Sequence, residues 1–118
     1  MKVLHLVSSL NPNSGGPTRS VAGLCRGLAG YGVDITLFVH SDKHQMPHPS
    51  GVRFRTGNGC PIRHLIKDLK RVVYEAQPDI VHLHCLWMLS NHIAAYYLRK
   101  QHIPYVIAPR GMLEPWSL

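Results

Sequence analysis

Apolar positions along the chain switch repeatedly between short unbroken runs and stripes at helical spacing. Val3, Leu4, Leu6 and Val7 make the first run, of the kind carried by a strand buried on both faces. A polar stretch from Ser8 to Thr18 follows and includes Gly15-Gly16-Pro17. Val21, Leu24, Cys25, Leu28 and Ala29 then recur at helical intervals, with Pro17 suited to a first helical position and Gly30 or Gly32 to closing the helix. Gly23 and Gly27 inside this helix each lower its propensity by up to about 1 kcal/mol relative to Ala, and their missing side chains are expected to let it approach a sheet closely. Asp34 to Val39 and Val52 to Arg55 read as strands, joined by a loop rich in His and Pro. Ile62, Leu65, Ile66, Leu69, Val72, Val73 and Ala76 form the strongest helical stripe. Ile80 to Leu83 is the next strand. Ser90 can N-cap a helix that turns Ile93, Tyr96 and Tyr97 inward and sets Arg99 and Lys100 against its C-terminal dipole. Tyr105 to Ala108 is the last strand.

The order β-α-β-β-α-β-α-β predicts an α/β fold, a Rossmann-like and mainly parallel sheet with right-handed crossovers and helices on both faces. Its 118 residues make one domain, 1–118, without internal repeats. The chain has no apolar run near the roughly 20 residues needed to span a bilayer and opens without a signal-peptide cleavage pattern, so the expected location is cytoplasmic. Cys25, Cys60 and Cys85 are an odd set with no close pairing pattern and read as reduced packing residues. Thirteen Lys and Arg against six Asp and Glu give a net charge of +7, which favours anionic partners. The basic face Arg63, Lys67, Lys70 and Arg71 could rest on anionic lipid at the inner face of the membrane, although a solvated helix face is the commoner meaning of such a row. No recognition helix and no interleaving of aromatic and basic residues accompanies the charge, so nucleic acid is not an expected partner.

Candidate chemistry concentrates where strands end. The loop holding Gly15 and Gly16 leads from the first strand into a helix N-terminus, where backbone N–H groups can face a phosphate; it has neither GxGxxG nor the Walker spacing, and a plain turn explains it as well. His82 and His84 lie two apart on a strand and share one face, with His84 nearer the carboxyl end, where open α/β sheets bind ligands. Such a histidine can bond a sugar hydroxyl or exchange a proton, or it can be a core residue bonded to a backbone carbonyl. Arg110, between Pro109 and Gly111 just past the last strand, can hold a phosphate or carboxylate with paired donors, or be a solvated loop residue. A metal held by His82, His84, Cys85 and His5 is conceivable, but neither CxxC nor HExxH spacing is present, and no metal or other cofactor is expected.

Taken together, the opening strand Lys2 to Val7, Gly15-Gly16-Pro17-Thr18 ahead of Val21-Ala22-Gly23-Leu24, Gly32-Val33-Asp34-Ile35-Thr36-Leu37, Pro78-Asp79-Ile80-Val81-His82-Leu83-His84 and Pro104 to Leu113 resemble the N-terminal domain of the family-4 retaining glycosyltransferases. The resemblance spans nearly the whole chain. It implies the GT-B fold, with two facing Rossmann-like domains and the active site in the cleft between them. It also implies that Gly15 and Gly16 approach the diphosphate of a nucleotide-sugar donor, that His84 contacts the transferred sugar, and that Thr18, Arg110 and Gly111 lie on the side of a glycan or lipid-linked acceptor. The leaving diphosphate in such enzymes helps deprotonate the acceptor, so no metal is implied. Most donor contacts, including paired glutamates, belong to a C-terminal domain that does not follow Leu118. The expectation is therefore a truncated acceptor-side domain, inactive alone, with a non-enzymatic α/β binding or interaction module as the alternative.

Overall fold

The computed structural model describes residues 1–7, 16–40, 51–57, 64–84 and 89–109, with the side chains of 16–19 outside that description. These residues form strands β1 (Lys2–Val7), β2 (Asp34–Val39), β3 (Arg53–Thr56), β4 (Ile80–His84) and β5 (Tyr105–Ala108), and helices α1 (Gly16–Gly30), α2 (His64–Ala76) and α3 (Leu89–Lys100). All four strand pairings are parallel, in the order β3-β2-β1-β4-β5. The sheet is the Rossmann-like α/β arrangement that the alternation of elements predicts. β1, the first strand in the sequence, lies at its centre.

Period-two alternation gives the sheet two apolar faces, and each has its own core. Leu4, Leu6, Phe38, Val81 and Leu83 point to one face, where Leu65, Leu69 and Val72 of α2 and Ala94 and Leu98 of α3 cover them. Val7, Ile35, Leu37 and Val39 point to the other and pack with Val21 and Cys25 of α1. Each fully buried Leu, Ile or Phe here contributes about 1.5–3 kcal/mol relative to exposure, which is why β1 and β2 can be apolar nearly throughout.

Each helix closes on a residue in the left-handed region: Gly32 (φ 87) after α1, Gln77 (φ 47) after α2 and His102 (φ 57) after α3. Bonds from Val33 N to Leu28 O and from Ile103 N to Leu98 O satisfy carbonyls that the last turns of α1 and α3 leave over. The N-terminal edge of the sheet is held differently. The Asp79 carboxylate accepts from the Lys2 amide (2.8 Å), and the Asp79 amide donates to the Lys2 carbonyl (2.8 Å), so Pro78-Asp79 pins the start of β4 to the start of β1.

Four local expectations need correction. Ser90 does not cap α3 but lies inside its first turn, buried. Tyr96 is 53% exposed, because the inward stripe of α3 is Asn91, Ala94 and Leu98, and two residues on from Ala94 is about 200° round the helix. Lys100 Nζ lies 5.3 Å from the exposed Tyr96 ring instead. Leu24 stands at the rim of the α1 contact rather than within it, and a Cβ on Gly23 or Gly27 would meet nothing within 4 Å, so neither glycine is there for close packing.

Gly57 is the glycine that the packing requires. A Cβ there would stand 3.0 Å from the His40 carbonyl, 3.0 Å from Asp68 Oδ2 and 3.2 Å from Phe38 Cζ, while the Gly57 amide already donates to Val39 O. Gly57→Ala is expected to lower the unfolding free energy by about 1–3 kcal/mol, the usual effect of overpacking. Urea denaturation checks this; an unchanged midpoint would mean that the strand end has room to shift.

No helix among the described residues is long and apolar enough to cross a membrane.

Candidate functional site at the switch between β1 and β4

Strand order reverses at β1: the chain moves outward through β2 and β3, then returns by way of α2 to place β4 on the other side. In open α/β sheets the crevice outside the carboxyl ends of two such strands is the usual ligand site. β1 ends at Val7, β4 at His84, and right-handed crossovers bring the N-termini of the helices that follow them, α1 and α3, to this same edge.

The register assembles a cluster that no single motif contains. His5 is paired with His82 across β1 and β4, so both side chains stand on the α1 face of the sheet, and His84 two residues on joins them. His5 Nδ1 and His84 Nε2 are 2.9 Å apart, a buried hydrogen bond between residues separated by 79 positions. His82 and His84 stack with centroids 4.1 Å apart and planes 16° from parallel, and His5 lies 5.0 Å from His82 and 5.2 Å from His84 by centroid. His5 and His84 are wholly buried and His82 half-buried.

That hydrogen bond has a chemical consequence. Of the two facing nitrogens one must carry a proton and the other a lone pair, so the tautomers of His5 and His84 are chosen together. The backbone is held as well: Asn91 Nδ2, in the first turn of α3, donates to the His84 carbonyl. Ring and main chain of His84 are thus both fixed by groups that spacing along the sequence does not reveal.

The other expected site residues divide between placed and undescribed. Gly16 is the first residue of α1 and Thr18 lies in its first turn, at the positive end of the helix dipole. Gly15, Arg110 and Gly111 lie outside the described residues, as does Arg63 of the basic row. Lys67 and Lys70 are exposed, whereas Arg71 donates to the Thr56 carbonyl at 3.0 Å and sits 4.0 Å from Asp68. A shallow recess of about 20 Å³ lined by Thr36, Arg53, Arg55, Val72, Glu75 and Ala76 lies under β3 at the far end of α2, and Arg55 and Glu75 pair with each other there (3.0 Å). It is remote from the histidines.

Residues 15–117 match the family described as the glycosyl transferase 4-like domain. The chain belongs to that family. No curated protein matches it. Membership makes the protein a glycosyltransferase domain by family, and the parallel sheet agrees with part of a GT-B fold. For a glycosyl transferase 4-like domain, sugar donors and acceptors are the general substrate class, and the edge where β1 and β4 end is the place to look for them. Sequence reasoning placed His84 at the carboxyl end of a strand, and there it lies, closing β4. It gave His5 only as a conditional metal ligand and passed over Asn91. The signal for His5 was its odd-numbered place in β1 beside Val3 and Val7, but that becomes usable only once β1 is known to lie next to β4 in this register.

Proposed function

We propose that the chain is the acceptor-side half of a retaining glycosyltransferase, which moves a sugar from a nucleotide-sugar donor to a glycan or lipid-linked acceptor in a cleft shared with a donor-binding domain. The observation that carries this reading is His84 closing β4 at the switch point, with the N-terminus of α1 opening on the same edge. In this reading the Gly15–Gly16 turn and the α1 N-terminus face the donor diphosphate, with Thr18, Arg110 and Gly111 toward the acceptor. His84, its tautomer set by His5, bonds a hydroxyl of the transferred sugar. The protein's part is positioning and charge stabilisation by fixed donors, the leaving diphosphate taking the acceptor proton, so the transfer itself needs no metal. Both domains are required for turnover. The reaction runs in the cytoplasm, and Lys67, Lys70 and Arg71, the described part of the basic row and all exposed, would face an anionic membrane surface.

A second reading, an α/β binding module without transfer chemistry, is favoured by the complete burial of His84. One titration separates the two. Addition of millimolar nucleoside-diphosphate sugars or inorganic pyrophosphate to the chain is expected to shift the imidazole NMR signals of His84 and the amide of Gly16. Silence of both groups toward every such ligand would sink the transferase reading for this chain and leave the binding module.

A further inference from the structure

The cluster formed by His5, His82 and His84 has a use that the transfer reaction does not call on. We propose that these three imidazoles bind one divalent transition-metal ion of the zinc class. Each residue offers one ring nitrogen, and the three nitrogens lie within 4.8 Å of one another. Tetrahedral zinc holds imidazole nitrogens at about 2.0–2.1 Å, which puts ligand atoms roughly 3.4 Å apart. His5 Nδ1 and His84 Nε2, at 2.9 Å, would part by about half an ångström to reach that spacing, and nitrogens as far apart as 4.8 Å would close by about 1.4 Å, which requires the stacked rings of His82 and His84 to turn.

Two features make the cluster a built arrangement rather than a chance meeting of surface histidines. The ligands stand on adjacent central strands in fixed register, with His5 directly opposite His82, so the backbone sets their separation before any ion arrives. Their surroundings also exclude competitors, since His5 and His84 are wholly buried, and the half-buried His82 gives the ion a side of approach. Among the described residues, which do not include Cys85, the donor set is three neutral nitrogens with no carboxylate or thiolate. It therefore selects zinc, copper(II) or nickel(II) over magnesium or calcium, and leaves a fourth position for water or another ligand. Along the sequence, His-x-His is too weak to name a metal; the third ligand, from β1, is what completes the set.

The test uses the whole chain with Zn²⁺ alone, by calorimetry, and with Co²⁺ as a spectroscopic stand-in. Wild-type protein is expected to bind one Zn²⁺ and to give the visible absorption of tetrahedral Co²⁺. His82→Gln, a change at the half-buried member, is expected to weaken binding by more than about 100-fold, since even groups that only orient a ligand are worth roughly 10–100-fold. His5→Gln should do the same, with thermal melting of both variants confirming the fold. Absence of binding to the wild type would overturn the proposal. So would binding that survives both substitutions, because the ion would then sit on other histidines of the chain. Neither outcome depends on whether sugar nucleotides bind, so this inference and the transferase reading stand or fall separately.

Discussion

In the two-domain transferase proposed above, replacing His84 by Ala is expected to lower kcat by about 10²–10³-fold, the loss seen when one fixed donor to the reacting charge is removed. The expectation follows from position. His84 ends β4 at the switch point, its ring is bonded to His5, and its carbonyl is bonded to Asn91, so the side chain is oriented before any ligand arrives. A prepositioned donor gives up little freedom when the transition state forms, which is why its removal acts on kcat more than on KM. Removal of a buried side chain also destabilises the fold, so the rate is measured on protein whose melting shows it intact, and His84→Gln serves as a variant of nearer size. Turnover within threefold of wild type for both variants would remove His84 from the chemistry and leave the histidines as a packing and metal-binding cluster.

Phe38→Ala is expected to lower the unfolding free energy by about 3–5 kcal/mol. Among the described residues Phe38 is the largest wholly buried side chain, lying on β2 against the core that α2 closes, with its ring edge close to Gly57. Truncation there loses the transfer free energy of the ring and leaves a cavity, because the strands on either side are fixed by their ladders and the region beside Gly57 is already tight. With a total stability of the order of 5–15 kcal/mol, the loss is about a fifth or more of what holds the domain together. A drop of roughly 10–25 °C in Tm should accompany it. Urea denaturation giving less than about 1 kcal/mol would show that the Phe38 side of the sheet collapses around the gap, and that the two cores are less rigid than their burial implies.

How far the sequence could be read depended on whether the information was local. β2 and β5 were legible to the residue, and α2 nearly so, because their patterns are strong and their partners do not alter the period. α3 was misread in part. Its inward face is built from Asn91, Ala94 and Leu98, small or polar at two of three positions, while its most conspicuous apolar surface, Tyr96, faces solvent. Tyr96 is the bulkier side chain, but it lies about 200° round the helix from Ala94, and the stripe through Asn91, Ala94 and Leu98 is the one that meets the sheet. The site divides in the same way. His84 could be placed because strand ends at a parallel sheet edge are informative by themselves. Its partner His5 is 79 positions away in the chain, and their meeting depends on which strands neighbour β1 and in which register. Neither is written in any window of sequence.

The central place of β1 also bears on how the molecule comes into being. β1 is made ahead of both strands that pair with it, β2 and β4, and the second of these begins 78 residues behind it. At synthesis rates of about 5–20 residues per second, β1 waits roughly 4–15 s before β4 can dock against it. Until then Leu4 and Leu6 have neither a β4 flank nor the cover of α3, which follows β4 in the chain. A nascent chain of this design is held in its most adhesive form for seconds, and the interval is set by strand order rather than by the stability of the finished domain.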